Sequence, residues 1–182
     1  MFGRLLGAVC LLASMVSMSW ATTALQFSNQ DLALQADVVV IGKCVDVRTA
    51  WVDRMLVTLA TVQVSESLRG SSSSITVVLP GGIDANRPVP IMMSYPGAPQ
   101  ITLDEDVFLF LEDETTILGG YTVVGFSQGK FSIVTDSHGR KVVERDLTKI
   151  SLQSGTGVAR GTRTLTSLQE FKEETQKHLK NR

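Results

Sequence analysis

Cysteine is nearly absent from this chain: two among 182 residues. One of them, Cys10, sits in an apolar stretch close to the N-terminus. If that stretch is removed, Cys44 stands alone and no intramolecular disulfide can form, which excludes a cysteine-stapled scaffold. Histidine is as scarce, with His138 and His178 the only two, so histidine alone cannot supply a three-ligand zinc site. Charge of one sign is missing too. The formal net charge of -1 gives no basic surface of the kind a nucleic-acid backbone or an anionic membrane demands. Beyond the first two dozen residues no apolar run reaches the ~20 residues of a membrane-spanning helix.

What is present begins at the N-terminus. Met1 to Arg4 carries one positive side chain, Leu5 to Val16 is apolar apart from Ser14, and Ser17 to Ala24 is mostly small and weakly polar. That order is the pattern of a secretory signal peptide. Two exits satisfy the small-residue rule: after Ala24 with Thr22 at the third position back, or after Ala21 with Ser19 there. The reading adopted from sequence is cleavage after Ala24, with residues 1–24 as leader and an exported, periplasmic or secreted, remainder. Val9 before Cys10 argues against a lipoprotein signal. Loss of Arg4, the leader's one charge, takes the net from -1 to -2.

The remainder reads as mainly β. Asn29 to Ala36 suits a short helix or turn. Asp37 to Val47 is dense in β-branched residues and apolar on both faces at its centre, as in a covered strand or a barrel wall. Gly42 within it predicts a bulge or bend. Met55 to Leu68 is a second long strand whose apolar face changes near Ala60-Thr61, and Ile75 to Leu79 is a third. The segment from Ile83 to Leu103 carries Pro88, Pro90, Pro96 and Pro99, four of the five prolines, and reads as an irregular covering loop. Further strands are expected over Val107 to Leu111, Tyr121 to Phe126, Phe131 to Thr135 and Lys141 to Val143, with a tight hairpin at Asp136 to Gly139. Residues 25–150 thus predict a small antiparallel barrel or sandwich, because no helix separates strands where a parallel crossover would need one. Residues 151–166, rich in Gly, Ser and Thr, read as a linker or loosely held loop. Residues 167–182 read as an amphipathic helix opened by a Ser167–Glu170 capping box and docking through Leu168, Phe171, Thr175 and Leu179.

No reaction is specified by these residues. Cys44 lies among valines in a strand, where a buried inert thiol is the simplest use. Ser137 and His138 are sequence neighbours, which is not how a nucleophile meets its base. The acidic groups at Asp104 to Asp106 and Glu112 to Glu114 fall at opposite ends of a strand, poorly placed as a carboxylate pair and without calcium-loop spacing. Gly81-Gly82 and Gly119-Gly120 lack the Lys-Ser/Thr pair and following helix of a phosphate loop. No catalytic residue, metal ligand or cofactor is assigned. The candidate binding residues are Trp51 and Arg54, at the reversal between the two long strands, and Tyr95 in the Pro-rich segment, because rigid aromatic area beside a turn suits protein recognition.

Ala36-Asp37-Val38-Val39-Val40-Ile41-Gly42-Lys43, Trp51 and the strand ending Ser67-Leu68-Arg69-Gly70 resemble a group of exported bacterial proteins of uncharacterised function. Gly81-Gly82, Gly97-Ala98-Pro99 and Val124-Gly125-Phe126-Ser127-Gln128-Gly129-Lys130-Phe131 fit the same group. The opening strand also resembles, at the level of fold, the OB-like domain of tissue inhibitors of metalloproteinases. Those inhibitors engage the enzyme's zinc through an N-terminal cysteine, which this chain lacks after leader removal, so the resemblance implies a fold and not that mechanism. Three expectations follow. The first is an exported, non-enzymatic binding or structural domain with an extracytoplasmic protein partner. The second is a ligand-binding or enzymatic barrel, and the third an accessory protein or inhibitor of a secreted protease.

Overall fold

The computed structural model describes residues 23–70, 72–114, 119–155 and 157–180. The apolar leader segment and Cys10 lie outside them, as do Asn181 and Arg182. Thirteen strands and two helices are described, in the order β1 (Thr23–Leu25), α1 (Asn29–Gln35), β2 (Val38–Val52), β3 (Met55–Arg69), β4 (Ser74–Pro80), β5 (Gly82–Asp84), β6 (Ile91–Met93), β7 (Asp106–Glu114), β8 (Gly120–Val123), β9 (Lys130–Thr135), β10 (Lys141–Asp146), β11 (Ser151–Ser154), β12 (Gly157–Arg160), β13 (Arg163–Ser167) and α2 (Leu168–Lys180).

The central sheet runs β13-β10-β9-β7-β2-β3-β4-β8, and β8 also pairs with β7. That second pairing closes β7, β2, β3, β4 and β8 into a partly closed five-stranded ring. A meander of three strands, an antiparallel β2–β7 contact and a parallel β4–β8 contact are the connections of an OB-like barrel. The mainly β, OB-like fold read from sequence is the fold found.

Closure is possible because one edge of β7 has two partners. Val107 to Leu109 pair with β9, whereas Leu111 to Glu114 pair with β8. Between them the chain turns back, with Gly129 N–H bonded to the Val124 carbonyl and Phe110 N–H to the Gly129 carbonyl. The strand expected to run to Phe126 therefore ends at Val123, because Gly125 and Phe126 adopt positive φ at the split.

The doubly apolar runs of β2 and β7 are buried on both faces. Val40, Cys44, Val107, Leu109 and Leu111 point into the barrel with Val62, Val77 and Leu79. Val39, Ile41, Phe108 and Phe110 point outward, where α1 and α2 cover them through Leu32, Ala33 and Phe171. Ser28 and Asp31 form a reciprocal capping box at the start of α1. Arg69 Nη1 donates to the carbonyls of Ala33 and Ala36 at its other end, where the helix dipole favours a cation. The stripe on α2 docks as its spacing predicts: Phe171 and Thr175 are buried, and Leu168 and Leu179 pack against the same core.

Bulges bend the long strands. Cys44 pairs with Val62 and Asp46 with Thr61, so Val45 is skipped where β3 changes face, and a second shift falls between Ile41 and Gly42. A Cβ on Gly42 would lie 2.4 Å from the Gln63 carbonyl oxygen. Gly42→Ala should therefore cost about 1–3 kcal/mol through overpacking, read as a lower urea midpoint with unchanged slope.

Two expectations are corrected. Residues 151–166 are not a linker. β11 pairs in parallel with β1 and antiparallel with β12, and β13 extends the central sheet from β10. The β1 partner of β11 lies far away in sequence, and strand formation depends on such context more than on local composition. The Pro-rich segment is also more regular than a covering loop, since β5 and β6 form an antiparallel hairpin. Its prolines fall between or after these two short strands and leave their ladder intact. With β1 paired from Thr23, a leader boundary at Ala24 would cut through a strand.

Candidate functional site

The β5–β6 hairpin borders a large groove along the barrel arm. Pro80 ends β4 and Gly81, at φ 91°, reverses the chain; a Cβ there would lie 2.6 Å from the Met93 carbonyl oxygen. The hairpin is then tied down along the β2–β3 arm. Thr49 Oγ1 donates to the Ile83 carbonyl at 3.0 Å and Thr58 Oγ1 to the Gly81 carbonyl at 2.8 Å.

Two grooves flank this hairpin. The larger, of about 680 Å³, is bounded by Val47, Thr49 and Thr58 on the arm and by Ile83, Met92 and Tyr95 on the hairpin side. The smaller, of about 400 Å³, is lined by Met55, Val57, Val78, Tyr95, Val123 and Phe126 and is almost entirely apolar. Tyr95 belongs to both. Exposed apolar side chains rim them, with Met92 at 70% and Met55 at 50% exposure.

The residues singled out from sequence do not converge. Tyr95 stands where the grooves meet. Trp51 lines neither and serves instead as the hairpin's anchor: its Nε1–H donates to Asp84 Oδ2 at 2.8 Å, and the Arg87 guanidinium lies 5.0 Å above the ring. Hydrogen bonds from Trp51 and then Arg87 hold the Asp84 carboxyl below its usual range. Arg54 is exposed in the β2–β3 turn beside Asp53, which takes φ 52°, and does not line the grooves.

Sequence reasoning missed Met55, Met92 and Phe126. The Ile91-Met92-Met93 triplet amid prolines was the available signal, because methionine supplies adaptable apolar surface. Phe126 gave none, as its placement depends on the turn at the β7 split.

A third recess, of about 160 Å³, mixes polar side chains, among them Lys130, Ser132, Glu144 and Asp146, with apolar ones such as Leu147 and Ile150. Beside it Lys130 and Ser132 on β9 both bond Glu105, and Ser132 Oγ lies 2.7 Å from Glu105 Oε1 and 2.7 Å from Lys130 Nζ. Glu105 Oε2 accepts from Thr102 N–H and Oγ1. Burial pushes the Glu105 carboxyl up, but the Lys130 bond and charge outweigh it and leave it below its usual range. With Glu105 immediately before β7 and Lys130 and Ser132 on β9, the trio is suited to holding the start of β7 against β9.

Cys44 is fully buried inside the barrel, and burial raises its thiol pKa. Among the described residues no three His, Cys, Asp or Glu side chains converge as metal ligands would, and no helix is long and apolar enough to cross a membrane. No protein-family model matches the chain, and no curated protein matches it.

Proposed function

We propose that this chain is an exported, non-enzymatic binding domain that takes a protein partner along the face built by the β5–β6 hairpin and Tyr95. One observation carries the reading: a groove of about 680 Å³ rimmed by exposed Ile83 and Met92 on a hairpin that side chains of the barrel arm hold in place. Rigid support beneath an apolar rim is what a recognition surface needs, since less ordering entropy is lost on binding. Trp51 acts in this proposal as support beneath the hairpin, through its bond to Asp84, and Arg54 is outside the surface.

Photo-crosslinking tests it. A photoreactive phenylalanine at position 95 should give one discrete protein adduct in the native envelope or culture fluid, and the same group at Lys177 on α2 should give none. Met92→Asp should abolish the adduct while the melting temperature stays within about 2 °C, as expected for an exposed position. Equal labelling from both positions, or none from position 95, would remove the surface assignment.

A second reading has its own support. The smaller groove, about 400 Å³ and lined by apolar side chains, is within the roughly 300–1,000 Å³ range of small-molecule sites. A bound apolar compound that survives purification, detected by native mass spectrometry and displaced in Val123→Trp, would favour it.

A further inference from the structure

Resting on the export reading above, we propose that the leader is cut between Ala21 and Thr22 and that Thr23 to Ser28 belong to the folded mature domain. Both candidate bonds satisfy a peptidase that reads small residues at the first and third positions before the cut, so that rule does not rank them. The fold does. β1 (Thr23–Leu25) is hydrogen-bonded in parallel to β11, with Thr23 opposite Ser151, Ala24 opposite Leu152 and Leu25 opposite Gln153. The ladder continues past the strand through Gln26 N–H to the Gln153 carbonyl at 2.9 Å.

Gln128 then fixes the segment from the other side. Its side chain is 1% exposed. Nε2 donates to the Leu25 carbonyl at 2.7 Å and to the Gly125 carbonyl at 3.2 Å, while Oε1 accepts from Phe27 N–H at 2.9 Å. Phe27 itself packs against the outer core. These bonds to Leu25 and Phe27 survive either cut and make the segment that β1 leads into part of the fold, since a buried amide needs its partners.

Cleavage after Ala24 would remove two of the three residue pairs of this ladder. It would also turn the Leu25 amide into a charged ammonium and leave Ser151 and Leu152 without their β1 neighbours. Cleavage after Ala21 leaves every one of these contacts intact, with Thr22 as the new first residue. In that hydrolysis the Ala21–Thr22 amide breaks, water supplies the oxygen of the new Ala21 carboxylate, and the Thr22 nitrogen leaves as an ammonium.

Intact-mass analysis of the full-length precursor expressed in an exporting bacterial host decides the matter. A mature chain starting at Thr22 is expected. A start at Leu25, or at any other internal residue, overturns the assignment, whereas an exclusively uncut chain overturns the export reading and the cut with it. Ala24→Leu should be processed at the same bond and keep its leucine in the mature chain, while Ala21→Leu should lose that product; failure of either result counts against the cut. Chains beginning at Thr22 and at Leu25 should differ in melting temperature by about 3–6 °C in favour of the longer one, and equal melting would remove the structural argument.

Discussion

Replacing Phe108 by alanine should destabilise the protein by about 3–5 kcal/mol, the range for an aromatic deleted from a packed core. Phe108 is completely buried at the middle of β7. Its ring lies 5.4 Å from Phe110, 6.4 Å from Phe131 and 5.0 Å from Phe171, the last two edge-on. Such aromatic pairs contribute about 0.5–1.5 kcal/mol beyond buried area. Phe171 belongs to α2, so the deletion also loosens the helix that covers the outer core. Against a total stability of about 5–15 kcal/mol for an ordinary domain, this one change removes a large share. Urea unfolding should show a much lower midpoint, and Phe108→Leu should recover more than half of the loss. An alanine variant within about 1 kcal/mol of the parent would mean that the four-ring cluster does not hold the two layers together.

The same cluster shows what could be read from the sequence. Val-Phe-Leu-Phe-Leu is apolar on both alternating faces, and the structure uses both: Val107, Leu109 and Leu111 fill the barrel while Phe108 and Phe110 face the helices. Local pattern sufficed for β2, β3, β4, β7 and α2 because each carries its own apolar periodicity. It failed for β1 and β13, whose residues are mostly exposed, and for β11 and β12, a hairpin whose short strands carry little apolar periodicity. The further pairing of Ser151–Ser154 with the distant Thr23–Leu25 could not be read from its own composition.

The candidate site was legible to a similar half. Tyr95 was found because an aromatic residue among prolines is conspicuous. Trp51 was found for a good reason but given the wrong task, since the sequence cannot reveal that Asp84, more than thirty positions away, accepts its indole N–H. Glu105 was read as a solvated loop end within an acidic triplet. Only its neighbours behave that way: Asp104 is exposed and pairs with Lys43 on the surface, while Glu105 turns inward to Lys130. One residue's difference in direction separates a solubilising charge from a structural one.

Lys130→Met should therefore cost about 3 kcal/mol at pH 7, because it leaves the Glu105 carboxylate, with its side chain only 16% exposed, without its cation. The sign of the pH dependence makes the test specific. In the parent, Glu105 titrates below its unfolded value of about 4.3 because the Lys130 bond and charge, helped by Thr102 and Ser132, overcome the burial that raises it. Its contribution is fully present above that unfolded value and is lost as pH falls through the lower folded one. Without Lys130, burial is opposed only by the Thr102 and Ser132 bonds, and the expected folded value lies above the unfolded one. Stability in the variant should then be lost as pH rises through that raised value, so the deficit against the parent is smaller at pH 4 than at pH 7. Glu105→Gln combined with Lys130→Met should recover much of the loss, since an amide can still accept from Thr102 without a buried charge. Urea melts of the parent and both variants across pH 4 to 7 provide the measurement; a deficit independent of pH would show that Lys130 acts through packing of its stem rather than through Glu105.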